Sequence, residues 1–290
     1  MQTSPFKQVD VFTARPFAGN PLAVIADGDG LDSDTMQRIA AWTNLSETVF
    51  LLSPSQPSAS YRVRIFTPQR ELPFAGHPSV GAAHAVLELG LAHAKDGRMI
   101  QECGAGLLPV RVEDSESGRR ISVRAPQARS RTPDSSAMPL LSAALTGLPA
   151  GVGEPVLIDN GPIWLTVEAA SEAELRGYQP DLSAIARLTQ AVDAVGVAAF
   201  AASATPGYDW VVRAWCPADG IPEDPVTGSA NAGIGAHLLS KGRLPVGSRY
   251  VASQGREVGR DGYVTVTLAE DGVWIGGHAV TVVDGLIRLD

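Results

Sequence analysis

Two stretches of helical length that are almost without charge limit what this chain can fold into. Gly76–Leu91 reads G-H-P-S-V-G-A-A-H-A-V-L-E-L-G-L, and Gly228–Leu239 reads G-S-A-N-A-G-I-G-A-H-L-L. A surface helix carries a charged stripe, whereas small or apolar residues occupy nearly every face here. Both helices are therefore predicted to be buried, and their glycines, which weaken helix propensity, permit close approach of neighbouring backbone.

The surroundings of these two helices repeat. R-I-F-T-P at Arg64–Pro68 recurs as R-A-W-C-P at Arg213–Pro217, each ahead of its helix. A weaker echo pairs Gly19–Val24 with Asn160–Leu165, each a turn signal followed by a strand-like run. The chain is thus predicted to consist of two similar halves, and the polar stretch Ala125–Ser136 is interpreted as the linker between them.

Short strand-like runs lie around both helices. They are Tyr61–Phe66, Arg120–Arg124, Val211–Trp215, Tyr263–Leu268 and Ala279–Val283. The sequence therefore predicts two α/β halves, each a layer of strands curled around a central helix. We expect the domains to span residues 1–125 and 135–275.

Composition excludes several classes of function. A net charge of -8 and a pI near 5.2 disfavour nucleic acid and anionic membranes as partners. The longest apolar run, Ala194–Ala202, is far shorter than the ~20 residues of a membrane span, and we expect a cytoplasmic protein. The five histidines form no metal-binding pattern, and no dinucleotide or phosphate-binding glycine loop occurs. We therefore expect neither a metal nor a cofactor.

The starts of the two central helices are candidate binding sites. A helix start has unpaired N–H groups and a partial positive charge, which suit a carboxylate, and two such starts can face one cleft. Gly76 and Gly228 would let a ligand approach bare backbone. The segment E-D-P brings Asp224 to the start of the second helix, where Asp224 either contacts the ligand or is only the N-cap of the helix. Glu223 is interpreted as structural.

Five blocks of sequence carry a resemblance to a known family. They are F-A-G-N-P-L-A-V, N-L-S-E-T-V-F, F-A-G-H-P-S-V-G-A-A-H, E-D-P-V-T-G-S-A and S-Q-G-R-E-V-G-R. Over nearly its whole length the chain resembles the phenazine-biosynthesis PhzF-like family. The resemblance implies the diaminopimelate epimerase-like fold: fold class α/β (α+β), with two pseudo-symmetric domains, each a mixed β-sheet or barrel wrapped around a central α-helix. It also implies an active site in the cleft between the domains, a homodimer, and a last strand, about residues 276–290, that returns to the first domain.

The resemblance also implies site residues. It assigns the catalytic groups to Glu47, His77 and Asp224, and substrate binding to Ser229 with its flanking glycines Gly76 and Gly228. Three further residues, Asn20, Gln254 and Gly255, fall in family blocks and are predicted to bind substrate, with turn chemistry as the alternative explanation for each.

The acid–base chemistry follows from what stands at the helix starts. Related epimerases use two cysteines there, whereas this chain has Ala75 and Thr227, so racemisation by two thiols is disfavoured. A single carboxylate remains as proton carrier. If Glu47 shares a strand face with Val49 and Leu51, an apolar setting would raise its pKa, although a glutamate here is also explained as a strand-edge charge.

The predicted function is that of a cofactor-independent isomerase of the PhzF type. Glu47 would move a proton between carbons of a small unsaturated or cyclic carboxylate, while His77 and Asp224 orient its polar groups. Two alternatives stay open: an amino-acid epimerase or racemase of the same fold, and a small-molecule-binding protein without catalysis.

Overall fold

The computed structural model describes residues 3–116 and 118–289. Contacts between Cα atoms divide the chain into two compact units. The first unit comprises the residues up to Arg124 together with those from Gly276 onward, and the second unit is Ala125–Ile275. Among the described residues, no helix combines the length and the apolar character that crossing a membrane requires.

Strands and helices alternate along the chain. Up to Arg124 the elements are β1 (Thr3–Val11), β2 (Asn20–Ile25), α1 (Ser33–Thr43), β3 (Glu47–Leu52), β4 (Tyr61–Phe66), β5 (Glu71–Leu72), α2 (Gly76–Glu88), β6 (Arg98–Cys103), β7 (Gly106–Ser115) and β8 (Gly118–Arg124). From Ala125 they are β9 (Arg129–Arg131), α3 (Met138–Ala144), β10 (Val156–Asp159), β11 (Ile163–Glu168), α4 (Glu172–Gly177), α5 (Leu182–Ala191), β12 (Gly196–Ala202), β13 (Trp210–Cys216), β14 (Ile221–Asp224), α6 (Gly228–Ser240), β15 (Arg249–Gln254), β16 (Gly262–Ala269), β17 (Gly272–Gly277) and β18 (Ala279–Arg288).

The first unit is a mixed sheet around α2. Its strands follow the order β18, β1, β2, β3, β4, β6, β7, β8, with parallel pairing between β2 and β3 and between β4 and β6. Helix α2 contacts strands from both ends of this order, including β1, β2, β8 and β18. The helix is buried without interruption from Gly76 to Val86, as its charge-free sequence predicts.

The second unit repeats the same pairing scheme around α6. Its order is β9, β10, β11, β12, β13, β15, β16, and the parallel pairs, β11 with β12 and β13 with β15, fall at the corresponding places. Helix α6 is buried from Gly228 to Gly235 and packs against β10, β11 and β16. The predicted fold class is confirmed: each unit is a mixed sheet around one central helix.

The local predictions made from sequence periodicity are also confirmed. Both central helices begin at the predicted glycines, Gly76 and Gly228, and the first ends at Glu88, three residues earlier than the apolar pattern suggests. All five predicted strand runs lie within strands, namely β4, β8, β13, β16 and β18.

The stretch interpreted as a linker is partly structured. Within Ala125–Ser136, strand β9 pairs antiparallel with β10, so that Arg131 lies opposite Leu157. The second unit therefore begins at Ala125 and not near residue 135. All three residues of strand β9 are exposed, and the strand lies at the edge of its sheet, where charged residues are favoured. Its polar sequence therefore resembles that of a linker.

The last strand, β18, is anchored to the first unit by its pairing with β1 and by a buried lysine. Lys7 on β1 is 4% exposed, and its Nζ lies 2.8 Å from Asp284 Oδ2 on β18 and 3.2 Å from Glu88 Oε2 at the end of α2. One amine therefore connects the first strand, the last strand and the end of the central helix.

Gly81 sets how closely α2 approaches the sheet. A Cβ at this position would lie 2.5 Å from Leu22 Cδ2 and 2.9 Å from Val11 Cγ2, and both neighbours are fully buried. Real carbon atoms do not approach so closely, so any side chain here would push the helix away from β1 and β2.

We predict that Gly81→Ala lowers the free energy of unfolding by about 1 to 2 kcal/mol, because overpacking outweighs the ~1 kcal/mol gain in helix propensity. Chemical denaturation monitored by circular dichroism measures the change. The matched control is Gly177→Ala at the end of α4, where an added Cβ meets no atom within 4 Å. If Gly81→Ala is as stable as the control, the proposed close packing is wrong.

Candidate active site

Glu47 and His77 are brought together at the start of α2. Glu47 is the first residue of β3, which pairs with β2 through Leu22, and His77 is the second residue of α2. Glu47 Oε2 lies 3.6 Å from His77 Nε2, and the two side chains are 16% and 4% exposed. A carboxyl group and an imidazole thus share a largely dehydrated position. We call Asn20, Ser46, Glu47, Gly76 and His77 the Glu47 cluster.

The imidazole of this pair is neutral. Burial lowers the pKa of His77 to about 3, because the charged ring would lose its hydration. The short distance to Glu47 therefore does not make an ion pair at neutral pH. His77 Nε2 is itself buried and makes no hydrogen bond within the described residues. A neutral ring in this position can donate or accept one hydrogen bond without changing charge.

Asn20 lies beside the residue that precedes Glu47. It is the first residue of β2 and is completely buried, and Ser46 Oγ donates to its Oδ1 at 3.2 Å. This bond fixes the end of the loop from which β3 begins. The sequence allowed two interpretations of Asn20, ligand contact or turn chemistry. Its buried amide favours a third role, in which Asn20 supports the residues next to Glu47.

Neither central helix has a side-chain cap at its start. The N-cap residues are Ala75 for α2 and Thr227 for α6; both are extended, and neither side chain accepts a bond from the first turn. Neither first turn contains an acidic residue. The partial positive charge of each helix start is therefore not offset by a capping side chain, which suits an anionic ligand.

Asp224 is held just before α6. It ends β14, is 8% exposed, and its Oδ2 accepts a hydrogen bond of 2.6 Å from Thr227 Oγ1. The alternative in which Asp224 is the N-cap is wrong, because that position belongs to Thr227. We call Asp224, Thr227, Gly228, Ser229, Asn231 and Gln254 the Asp224 cluster.

Gln254 and Gly255 support the start of α6 from β15. The Gln254 amide is completely buried and makes four hydrogen bonds, to Thr227, Asn231 and the backbone of Asp224, which is the full capacity of an amide. Gly255 has φ 98°, and a Cβ there would lie 2.5 Å from the carbonyl oxygen of Pro225. These contacts favour a supporting role for both residues.

Ser229 is oriented by two residues that the sequence did not single out. Trp164 Nε1 donates to Ser229 Oγ at 3.0 Å, and Asn160 Nδ2 donates to the Ser229 carbonyl at 2.8 Å. A hydroxyl oxygen that accepts a bond still has its own proton to donate. The signal was present: Asn160 and Trp164 lie in the segment that echoes Gly19–Val24.

The acidic neighbour of Asp224 has a structural role, as predicted. Glu223 accepts two hydrogen bonds from Arg213, of 3.0 and 2.8 Å, and one of 3.0 Å from Trp215 Nε1. Arg213 is 3% exposed and also donates to the backbone carbonyls of Leu175 and Tyr178.

No thiol stands at either helix start. The two cysteines, Cys103 at the end of β6 and Cys216 at the end of β13, are not disulfide-bonded. In the part of the chain that the structure describes, no three histidine, cysteine, aspartate or glutamate residues are grouped in a way that could hold a metal ion.

Comparison with known proteins places this chain and its fold in a family. The model of the family described as phenazine biosynthesis-like protein matches residues 9–285. Antisense-enhancing sequence 1 of Schizosaccharomyces pombe is 35% identical over 98% of this chain and 99% of its own length. The trans-2,3-dihydro-3-hydroxyanthranilate isomerase of Pseudomonas aeruginosa is 36% identical over 87% of this chain and 86% of its own. A PhzF family structure from Bacillus anthracis matches with a TM-score of 0.85 and 27% identity, over 99% of this chain and 100% of that one.

These matches define the class of protein: the chain is an enzyme, an isomerase with the epimerase-like fold. It belongs to the PhzC-PhzF family of phenazine biosynthesis-like proteins. The family predicted from the sequence blocks is confirmed.

The neutral state of His77 predicts a pH dependence of stability. Unfolding exposes the ring and restores its ordinary pKa of 6.5, against about 3 when folded, so the unfolded chain binds the extra proton between these values. Stability from this group is therefore complete above pH 6.5 and is lost as pH falls toward 3. Between pH 7 and pH 5 we expect His77 to account for a loss of about 2 kcal/mol.

Urea unfolding at pH 7 and pH 5 tests this expectation. From pH 7 to pH 5, the free energy of unfolding of His77→Gln should fall by about 2 kcal/mol less than that of the parent protein. Replacement of the exposed His93 by glutamine is the control, and this variant should lose as much unfolding free energy between pH 7 and pH 5 as the parent protein does. An equal loss in the parent and the His77 variant would show that the ring is not buried in its neutral form.

Proposed function

We propose that the protein moves a proton between two carbon atoms of a small unsaturated or cyclic carboxylate, with Glu47 as the only acid and base. The observation that carries this proposal is the contact of 3.6 Å between Glu47 and a buried, neutral His77 at an uncapped helix start. A carboxyl group in a dehydrated setting is suited to accept and return one proton near neutral pH.

The proposed substrate class comes from a relative. The isomerase from Pseudomonas aeruginosa acts, by its name, on trans-2,3-dihydro-3-hydroxyanthranilate, a cyclic unsaturated carboxylate with an amino and a hydroxyl group. We propose a substrate of this class because the two clusters offer the matching partners. The uncapped helix starts suit its carboxylate, and the neutral His77 and the acceptor Asp224 suit its amino and hydroxyl groups.

In the proposed mechanism each cluster has its own part in substrate binding. The backbone amides of the helix starts and the Ser229 hydroxyl bind a carboxylate, and His77 and Asp224 orient other polar groups. Glu47 removes a proton from one carbon, the double-bond electrons shift, and the same carboxyl group returns the proton to another carbon. The reaction requires no oxidant, reductant or second base.

The absence of thiols at Ala75 and Thr227 favours this reaction over racemisation. Inversion at one carbon needs acid and base groups on opposite faces, whereas transfer along one face needs a single group.

The homodimer and the cytoplasmic location remain predictions from the resemblance and the composition.

We predict that Glu47→Gln abolishes the reaction while leaving binding nearly intact, because the amide has the same shape but cannot carry the proton. With trans-2,3-dihydro-3-hydroxyanthranilate in deuterated water, mass spectrometry should detect deuterium incorporation by the parent protein and a rate at least ~10³-fold lower in the variant. Glu113→Gln, an exposed change in the same unit, is the control and should react at the parent rate. Incorporation at the parent rate by the Glu47 variant would remove Glu47 from this role.

We also predict that Ser229→Ala weakens substrate binding by about tenfold, because one hydrogen bond to a charged group is lost. Calorimetric titration of the Glu47→Gln background with the same compound avoids turnover and measures the dissociation constant. The matched control is Ser240→Ala at the exposed end of the same helix. An unchanged dissociation constant in the Ser229 variant would mean that its hydroxyl does not contact the ligand.

A further inference from the structure

A chain of three buried side chains ends on Asp224. Gln254 Nε2 lies 2.9 Å from Thr227 Oγ1, and Thr227 Oγ1 lies 2.6 Å from Asp224 Oδ2. Gln254 is completely buried, Thr227 is 5% exposed and Asp224 is 8% exposed, so water competes little for these bonds.

The contacts fix the direction of every bond in this chain. The backbone N–H of Thr227 can only donate, and it lies 3.0 Å from one end of the Gln254 amide, which must therefore be the oxygen Oε1. The other end, Nε2, then donates to Thr227 Oγ1. Since this oxygen already accepts, the single hydroxyl proton of Thr227 points to Asp224 Oδ2.

Asn231 strengthens this assignment. Its Nδ2 donates to Gln254 Oε1 at 3.1 Å and to the carbonyl of Thr227 at 2.9 Å. A Gln254 amide turned the other way would place two N–H donors against its nitrogen. The network therefore has one arrangement of protons, with Asp224 as the terminal acceptor.

We propose that Gln254 and Thr227 are positioning residues that orient Asp224 and hold it as a hydrogen-bond acceptor toward the substrate. The separation of 2.6 Å falls in the range of an O–H bond to an ionised carboxylate. Gln254 Nε2 also donates to the backbone carbonyl of Asp224 at 3.1 Å, so one amide sets the position of this residue relative to the first turn of α6. This inference rests on the proposed function, in which Asp224 contacts the substrate.

The chemistry requires glutamine and not glutamate at position 254. A carboxylate there would accept from the Thr227 backbone N–H but would have no proton to donate to Thr227 Oγ1. The Thr227 hydroxyl would then have two carboxylates to choose from, and its bond to Asp224 would weaken. Gln254→Glu and Thr227→Val, which removes the hydroxyl, should therefore have the same effect by different routes.

The test is a pH titration of the Asp224 carboxyl carbon by NMR, with ¹³C-labelled aspartate and assignment by Asp224→Asn. Loss of a hydrogen bond to the ionised form favours protonation, so the midpoint should move to higher pH, by about one pH unit, in Thr227→Val and Gln254→Glu. Thr227→Ser keeps the hydroxyl and should titrate as the parent protein does. Thr166→Val is the matched control, since Thr166 is a buried threonine of the same unit whose hydroxyl makes no hydrogen bond within the described residues.

Activity separates a positioning role from a merely structural one. With trans-2,3-dihydro-3-hydroxyanthranilate, the acid limb of the kcat profile should move with the NMR midpoint in Thr227→Val and return in Thr227→Ser. An Asp224 signal that titrates identically in the parent protein and both Thr227→Val and Gln254→Glu would overturn the inference. Full activity of Asp224→Asn would instead refute the substrate contact assigned to Asp224 under the proposed function, and it would leave the NMR result standing.

Discussion

The structure depends on two helices that are buried although their N-termini lack side-chain caps. A helix start has N–H groups without partners inside the helix, and burial removes most of the water that would otherwise satisfy them. Natural proteins usually place serine, threonine or aspartate there to accept from these groups. In this chain Ala75 has no acceptor and the Thr227 side chain is turned to Asp224, so neither N-cap side chain accepts from its own helix start.

Burial of these helices determines the composition of everything around them. Because α2 approaches β1 and β2 within the reach of a single methyl group at Gly81, neither a charge nor a large side chain fits on that face. His77 is neutral because it is buried, and Asp224 accepts a short hydrogen bond from a hydroxyl that is itself oriented by an amide. The neutral state of His77 and the hydrogen bond to Asp224 follow from packing as much as from the identity of the residues.

Sequence reasoning was most successful where a local pattern determines the structure. The absence of charge predicted the two central helices, and repeated strand and turn signals predicted the architecture of each unit. It was less successful where a role depends on contacts between distant residues. Gln254 precedes a turn glycine, and the sequence around it is typical of a turn. In the structure its amide forms hydrogen bonds with Thr227 and Asn231, more than twenty residues earlier. The repeat drew attention to the segment that contains Trp164, but a repeat does not show that the ring N–H of Trp164 donates to Ser229, 65 residues later.

The central claim is the proposal that the uncapped start of α2 holds the substrate carboxylate and that Glu47, in the same unit, faces the carbon atoms of this molecule. A crystal structure with 3-hydroxyanthranilate, the stable aromatic analogue of the proposed substrate, tests this most directly. We expect the carboxylate of this ligand within hydrogen-bonding distance of the backbone amides of the first turn of α2, and the Glu47 carboxyl group against a ring carbon. A ligand bound away from Glu47, or one whose carboxylate faces away from the start of α2, would contradict the account.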